Sequence, residues 1–333
     1  MKKTVLIIIL IITCLPNYSQ VINGCVSDEI TKHPLSNVNV FFNATTIGTI
    51  TDRYGNFKLT IHENRKLPIA ISAIGYNSVL LSEYSAADTI LIFLTPKVYE
   101  LGEVKVYSKR TFKERIARNH YLNMFCKQFL GETLNATKCE ILNDSDLVFK
   151  YFKDEDILRA YSQKPLIINN EALGYKIIYF LDTYSESYDA LTYIGNYIFI
   201  EDSTLNERDR IKVEQRRKSA YLGSRMHFFR ALWENNLDSA GYIIKDLTNK
   251  KISQDSLVVQ IDGSKFLVNK GLILVSYYSK MYGTSIELLH DYVYFDKSGF
   301  FDPYGINWTG EMIRQRIADL LPFDYVLKDS NRR

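Results

Sequence analysis

The chain has 333 residues, of which 46% are hydrophobic and 24% are charged. This composition supports a packed core and excludes a disordered chain, while only 16 glycines, 7 prolines and 4 cysteines exclude a collagen-like repeat and a small disulfide scaffold. Since a single core seldom grows past roughly 250–300 residues, the length predicts about two domains.

The N-terminus has the order of regions that is typical of a secretory signal peptide. Two lysines precede the apolar run Val5–Leu15, and a polar stretch follows it. The run is shorter than the about 20 apolar residues of a transmembrane helix. We therefore predict a signal peptide over residues 1–20 and an exported mature chain, periplasmic or associated with the outer membrane, without a transmembrane span. Acylation at Cys14 is the less favoured alternative, because Thr13 is poorly suited to the position before a lipoprotein cysteine.

Charge and cysteine content limit the partners and cofactors. Cleavage removes two of the 41 basic residues and none of the 38 acidic ones, which lowers the formal net charge from +3 to +1. A net charge this close to zero gives no indication of nucleic-acid binding. Cys25, Cys126 and Cys139 remain, so at most one internal disulfide can form. Histidines and cysteines show no metal-ligand spacing and no nucleotide-binding glycine motif occurs, so we predict no metal and no cofactor.

The first half of the mature chain consists of short β-rich runs that are separated by turn residues. The runs are Val21–Val26, Val38–Phe42, Thr46–Thr51, Asn56–Ile61, Pro68–Ile74, Ser78–Ser82, Thr89–Leu94 and Glu103–Tyr107. Gly55 and Gly75 lie where tight connections need a positive φ. Short strands at this spacing, with no helical period between them, predict an antiparallel β-sandwich.

Several motifs in this half carry a resemblance to a known family. They are Gly24-x-Val26-x-Asp28, Pro34-Leu35-x-x-Val38-x-Val40, Gly48-Thr49-x-Thr51-Asp52-x-x-Gly55-x-Phe57, Ile71-Ser72-Ala73-Ile74-Gly75-Tyr76 and Leu101-Gly102-Glu103-Val104-x-Val106. In this order they resemble the carboxypeptidase regulatory-like domain, a transthyretin-like sandwich of seven strands found in many secreted or envelope proteins of Gram-negative bacteria. The resemblance covers residues 21–107 and implies a module that is not itself a peptidase.

Neither a zinc peptidase nor a membrane transporter is indicated. A zinc carboxypeptidase needs His-x-x-Glu with a distant histidine, and none of the five histidines has a glutamate at that spacing. His62-Glu63 lacks the second histidine of His-Glu-x-x-His, because Lys66 stands there. The residues after the module are too few for the plug and barrel of an outer-membrane transporter.

Residues 111–333 are predicted to form a separate α+β domain. Apolar residues at helical spacing predict helices over Thr111–Leu130, about Asn206–Glu234 and Trp308–Leu321, the last ending at Pro322. Strand-like runs fill the segments between the helices. This half is similar to the region that follows the regulatory module in uncharacterised two-domain envelope proteins, a resemblance carried by phrases such as Arg216-Arg217-x-x-Ala220-Tyr221-x-Gly223-Ser224-x-x-His227-Phe228-x-Arg230. It implies a boundary near residue 108, and it offers no established activity to carry over to this chain.

The segment Arg216–Arg230 is also the densest polar cluster of the sequence. If the segment is one helix, the side chains of Arg217, Tyr221, Ser224 and His227 nearly share one face. With Arg230 they form our candidate ligand-binding residues, in which arginines grip a phosphate or carboxylate. The alternative is a structural helix whose charges are solvated and whose aromatic residues pack on a sheet, and this alternative is favoured.

Two further readings concern catalysis and aromatic contacts. A catalytic group would pair Ser224 or Cys139 with His227 and an acid such as Asp182, but the Gly-x-Ser-x-Gly elbow is missing and the structural reading is strongly favoured, so we name no catalytic residue. Tyrosine clusters such as Tyr277-Tyr278 could stack on sugars or form an interface, although sheet packing explains most tyrosines. The aromatic loop Ser298–Gly305 is the first candidate contact surface.

Together these observations predict an exported, non-catalytic envelope protein. The sandwich would serve as a docking or stabilising module, and the α+β domain would bind or scaffold a protein or glycan partner. The alternative is an enzyme of unrecognised class that acts on cell-wall or glycan material through the Ser224–Arg230 segment.

Overall fold

The computed structural model describes residues 20–61, 67–85, 87–97, 112–278 and 283–328. Most of the predicted signal peptide, the predicted strand Glu103–Tyr107 and the predicted boundary near residue 108 lie outside the described residues. The chain divides into two compact units, Met1–Phe42 with Ile47–Lys97 and Asn43–Thr46 with Val98–Arg333.

Seven short strands build the first unit. They are β1 (Gln20–Asp28), β2 (Asn39–Phe42), β3 (Gly48–Ile50), β4 (Asn56–Ile61), β5 (Ile69–Ser72), β6 (Val79–Leu81) and β7 (Thr89–Leu94). Their orders are β4-β1-β7 in one sheet and β3-β2-β5-β6 in the other. Alternate residues of β1 and β4, such as Ile22, Val26 and Leu59, are buried, as expected when one face of a sheet meets a core. The predicted sandwich is confirmed, and Gly55 and Gly75 have positive φ values of 77° and 85°.

One strand pair of this unit differs from the prediction of a wholly antiparallel sandwich. β1 and β7 pair in parallel, with Asn23 opposite Thr89 and Asp28 opposite Leu94. Parallel neighbours need a long connection between them. Here β2 to β6 supply that connection, so the first and last described strands of the unit lie side by side.

The second unit is larger and β-rich, with three α-helices in its described residues. Its strands are β8 (Cys139–Ile141), β9 (Leu147–Phe152), β10 (Ile157–Ser162), β11 (Leu166–Asn170), β12 (Tyr175–Glu186), β13 (Leu191–Glu201), β14 (Tyr242–Lys245), β15 (Val258–Ile261), β16 (Ser264–Val268), β17 (Ile273–Tyr277), β18 (Thr284–Leu288), β19 (Tyr292–Phe295) and β20 (Ile306–Gly310). The helices are α1 (Phe112–Phe129), α2 (Glu207–Tyr221) and α3 (Arg225–Trp233). Strands mixed with helices confirm the predicted α+β class.

A six-stranded sheet holds the first core of this unit. Its strand order is β8-β11-β12-β10-β9, and β13 pairs with β12. α1 confirms the helix predicted over Thr111–Leu130, and it places Phe125 and Phe129 in this core with Tyr179 and Tyr184. The Phe125 and Phe129 rings stack at a centroid distance of 4.8 Å, as residues four apart on one helix face can.

A four-stranded sheet, β14-β17-β18-β20, and a three-stranded sheet, β15-β16-β19, share the second core. Phe228 and Phe229 of α3 lie in this core with Tyr242 and Trp308. The segment after α2 thus carries the chain from the first core to the second. Among the described helices, none combines the length and the apolar character needed to cross a membrane.

The helix predicted over Trp308–Leu321 is wrong. Trp308 lies in β20, which pairs with β18, and Ile306 and Trp308 are buried while Asn307 and Thr309 are not. Burial that alternates every second residue is the period of a strand. Between β20 and residue 328, where the description of this end of the chain stops, the helical segments are two short 3₁₀ turns, Glu311–Arg314 and Ile317–Asp319.

Candidate functional site

The helix predicted over Asn206–Glu234 is two helices with a sharp break between them. α2 begins after Asn206, whose side chain accepts from the Asp209 N–H at 3.0 Å, and ends at Tyr221. Gly223 then has a φ of 80°, which L-residues with a Cβ rarely adopt. Ser224 caps the next helix, because its hydroxyl accepts from the His227 N–H at 3.0 Å. The predicted common helix face therefore does not exist.

Arg217 is held entirely by its own chain. The residue is 6% exposed. Its Nε donates to the Leu173 carbonyl at 2.8 Å, and its Nη2 donates to the Gly174 carbonyl at 3.2 Å. Nη1 pairs with the carboxylates of Glu201 and Glu214 at 3.0 and 3.1 Å. The guanidinium thus ties α2 to the connection between β11 and β12, and each of its nitrogens already has an acceptor.

Arg230 is used in a similar way on α3. Its Nε donates to the Ser298 carbonyl at 2.8 Å, Nη1 to Tyr325 at 2.9 Å and Nη2 to Phe323 at 3.1 Å. The guanidinium also lies 5.4 Å from the centroid of the Tyr221 ring. Three backbone carbonyls distant in sequence converge on this one side chain, so it joins the C-terminal segment to α3.

His227 lies within a cluster of aromatic rings. Its ring is 4.8, 5.2 and 5.6 Å, centroid to centroid, from the rings of Tyr221, Tyr242 and Tyr277. Its Nδ1 accepts from the Gly223 N–H at 3.1 Å, so the neutral ring carries its proton on Nε2. Burial, together with the nearby positive charge of Arg230, lowers the pKa of His227 to about 4. The ring is therefore neutral at pH 7.

The structure brings some of the predicted ligand-binding residues together and separates others. Tyr221, His227 and Arg230 form one contact group. Arg217 instead lies over the Tyr175 ring, at 3.9 Å from its centroid, and Ser224 caps α3. A ligand-binding role for the five residues stays a prediction, and the contacts give each of them a structural role in the chain.

The residues of the catalytic alternative do not make the contacts that a nucleophile and its general base need. The Ser224 hydroxyl faces a backbone N–H, and the Nδ1 of His227 accepts from another backbone N–H, which is the geometry of a helix start. Cys139 begins β8, where burial raises the pKa of its thiol to about 12. A reactive cysteine needs a lowered pKa. Asp182 lies in β12, a strand of the six-stranded sheet.

Two of the three aromatic rings in the loop Ser298–Gly305 pack against other rings of the second unit. Phe301 stacks on Phe229 with centroids 4.6 Å apart, and Phe300 meets the edge of Phe323 at 5.6 Å. Tyr304 remains exposed. The loop therefore offers one ring, rather than three, to a partner.

Sequence reasoning did not find a cavity on the C-terminal side of α3. It has a volume of about 570 Å³. Its lining residues are Asn235–Ser239, Tyr242, Ile244 and Lys251–Asp255. The sequence shows polar residues on both sides of the predicted strand Gly241–Leu247, but Asn, Asp and Ser are frequent in any loop. These residues therefore did not indicate a cavity. Within the described parts of the chain, no three His, Cys, Asp or Glu side chains are grouped as a metal site.

Comparisons with known proteins identify a family for the first unit only. No curated protein matches the sequence. A solved structure from Bacteroides fragilis NCTC 9343, of a protein of unknown function provisionally described as membrane-associated, is similar over 88% of this chain and 94% of that chain, at 10% identity and a TM-score of 0.19. A likeness at that TM-score carries no argument about fold or function.

The family comparison is more specific. Residues 22–106 match the model of the CarboxypepD_reg-like domain, which agrees with the motifs that run from Gly24 to Val106 in the sequence. The seven described strands of the first unit fall within or at the edge of this range. Residues 22–106 therefore constitute a CarboxypepD_reg-like domain, a non-catalytic module that precedes the larger β-rich unit.

Proposed function

We propose that this chain is an exported cell-envelope protein whose second unit binds or scaffolds a partner, while the CarboxypepD_reg-like module docks or stabilises it. The match of residues 22–106 to that module carries the proposal. A module of this kind brings no catalytic group. The N-terminal order of two lysines, an apolar run and a polar stretch supports export.

The contacts of the second unit favour binding over catalysis. The groups that an enzyme would use near Ser224 are engaged as a helix cap and as acceptors of backbone N–H groups. The unit also exposes aromatic rings and a polar cavity, which are features of binding surfaces. A partner of protein or glycan chemistry is the function that these features support best.

Export is tested by N-terminal sequencing of the tagged chain purified from the envelope fraction of its native host. The expected N-terminus lies close to Val21. Ile8→Arg places a charge in the apolar run and should leave an uncleaved chain in the cytosol. Ile30→Arg is the matched control, because Ile30 is exposed in the first unit, and it should be processed normally. An uncleaved wild-type chain in the cytosol would overturn the export proposal.

Partner binding is tested by mild cross-linking of intact envelopes, followed by purification of the tagged full chain. A partner recovered in fixed ratio, and bound again by the purified chain, would support the proposal. Recovery of the chain alone, together with release of soluble glycan from cell-wall material by the wild type but not by His227→Gln, would favour the enzyme.

A further inference from the structure

The two cysteines of the second unit line one cavity. This cavity lies between α1 and β8 and has a volume of about 280 Å³. One of its walls contains Leu122 and Cys126 of α1, and the other contains Cys139 and Ile141 of β8. The turn that follows α1 thus brings two thiols that are separated in the sequence to the same space.

The repeat of each element explains why both thiols point into this space. Leu122 and Cys126 are four residues apart, and residues at this spacing share one face of a helix. Cys139 and Ile141 are two residues apart, and residues at this spacing share one face of a strand. All four pack against the first core, which α1 forms with the six-stranded sheet. Cys126 therefore lies on the sheet side of α1, and Cys139 lies on the α1 side of β8.

The two thiols are also close enough for one to influence the ionisation of the other. Burial raises the pKa of Cys139 to about 12, together with neighbouring negative charges that include the one on Cys126. Burial likewise raises the pKa of Cys126, to about 11. Only nearby charges shift a pKa in this way, so the two sulfur atoms are neighbours across the cavity.

The third cysteine of the predicted mature chain has different surroundings. Cys25 lies in β1 of the first unit, where its Sγ donates to the Tyr54 carbonyl at 3.7 Å. All three residues have free thiols in this structure. Of the three pairings that the sequence allows, the pairing of Cys126 with Cys139 is the one whose thiols line a common cavity.

We infer that Cys126 and Cys139 are a redox pair, which closes to a disulfide in an oxidising compartment and fastens α1 to β8. The inference rests on the proposed export, because disulfides form and persist in the periplasm and outside the cell. The co-reactant is a protein or small-molecule disulfide, R–S–S–R. One thiol loses its proton and attacks this disulfide, which releases R–SH, and the second thiol then displaces the remaining R–S group as R–SH. Two thiols are oxidised and one disulfide is reduced, so atoms and electrons balance.

The bond should stabilise the second unit. It closes a short loop that joins the last turn of α1 to the first strand of the six-stranded sheet. A disulfide stabilises a fold mainly because it restricts the unfolded chain. We therefore expect the oxidised chain to unfold at a temperature several degrees higher than the reduced chain.

The burial of both thiols sets the rate of closure in the folded chain. The thiolate is the attacking species, and little of it forms at neutral pH when the pKa values are raised. Closure in the folded chain should therefore be slow, and its rate should rise about tenfold per pH unit from neutral to mildly alkaline pH.

The test uses the purified full mature chain, fully reduced and then incubated with oxidised glutathione at mildly alkaline pH. Remaining thiols are alkylated under denaturing conditions, and tryptic peptides are analysed by mass spectrometry. Cleavage after Lys127 and Lys138 separates the two cysteines into different peptides. The expected result is one alkylated cysteine, Cys25, and a linked pair of peptides that contain Cys126 and Cys139, whose mass is lower by two hydrogen atoms.

Variants provide the matched comparison. Cys25→Ser should still form the bond and show the same rise in Tm on oxidation. Cys126→Ser and Cys139→Ser should each lose that rise. The readout is the difference in Tm between the oxidised and reduced forms of one protein, so a general destabilisation by the substitution does not affect it. The same alkylation, applied to acid-quenched cells of the native host, reports the state of the pair in the envelope fraction.

Three results would overturn the inference. They are both thiols of the pair free after oxidation, glutathione held at Cys126 or Cys139 without closure, or a disulfide that includes Cys25. An exported, processed chain with both thiols free in cells would also overturn it and leave the proposed function standing. Closure in vitro by a chain that proves to be cytosolic and reduced in cells would instead refute export and support the pairing.

Discussion

Replacement of Arg217 by methionine is expected to destabilise the second unit strongly. The unbranched methionine keeps the apolar stem but removes the guanidinium. The Leu173 carbonyl then loses its donor, which costs about 1–3 kcal/mol for a buried acceptor. The contact of the cation with the Tyr175 ring is lost as well, at about 0.5–2 kcal/mol.

The other contacts of Arg217 add little to this sum. The Gly174 carbonyl also accepts from the Asp202 N–H at 3.1 Å, so it stays satisfied in the variant. The side chain of Glu201 is 61% exposed, and exposed ion pairs contribute little. The expected loss in the free energy of unfolding is therefore about 1.5–5 kcal/mol.

Urea denaturation followed by tryptophan fluorescence measures this loss. Both tryptophans of the chain, Trp233 and Trp308, lie in the second unit. Lys218→Met is the matched control, since Lys218 is exposed one position further along α2, and it should change stability by less than about 0.5 kcal/mol. A loss below about 1 kcal/mol for Arg217→Met would contradict the reasoning. The guanidinium would then contribute little to stability, and the prediction that it binds a ligand would gain support.

Three more predictions concern the break between α2 and α3 and the first turn of α3. Gly223→Ala should cost about 2–4 kcal/mol, because φ is 80° and the new Cβ would lie 2.7 Å from the Tyr277 ring. Gly263→Ala, with a φ of 78° and open space, should cost only about 1 kcal/mol, and equal losses would show that the ring is not there. Ser224→Ala removes the cap of α3 and should cost about 0.5–2 kcal/mol in the same urea assay, whereas no loss would place the helix start elsewhere. Because burial lowers the pKa of His227 from 6.5 to about 4, the unfolded chain binds the proton first, and its share of stability, up to about 3 kcal/mol, should be lost as the pH falls from about 6.5 to 4. His227→Gln should remove that part of the pH dependence, and an unchanged pH profile would contradict the lowered pKa.

The strands of the first unit were predictable because the signals that define them are local. Asn56–Ile61 and Thr89–Leu94 have the same bounds in the prediction and in the structure. Alternating burial and flanking turn residues are properties of a few consecutive positions. The parallel pairing of β1 with β7 was not predictable in this way, because it joins residues more than 60 positions apart.

The break between α2 and α3 shows why the candidate site could not be predicted in full. Residues 206–234 are compatible with one helix on local grounds, apart from Gly223. The break is stabilised by distant groups, since the ring of Tyr277 occupies the space beside Gly223 that a Cβ would need. A local pattern carries no information about a ring that arrives from more than 50 residues later.

The sequence by itself determined the CarboxypepD_reg-like module, most strands of the first unit and the first helix of the second, since each of these depends on neighbouring residues. Only the tertiary structure decided what the polar side chains do. Arg217 and Arg230 bind carbonyl groups that lie 43 to 95 positions away in the chain, so these cations join segments that are far apart in the sequence. Likewise, Tyr242 and Tyr277 become neighbours only when β14 pairs with β17, because long-range strand pairing sets which residues lie side by side.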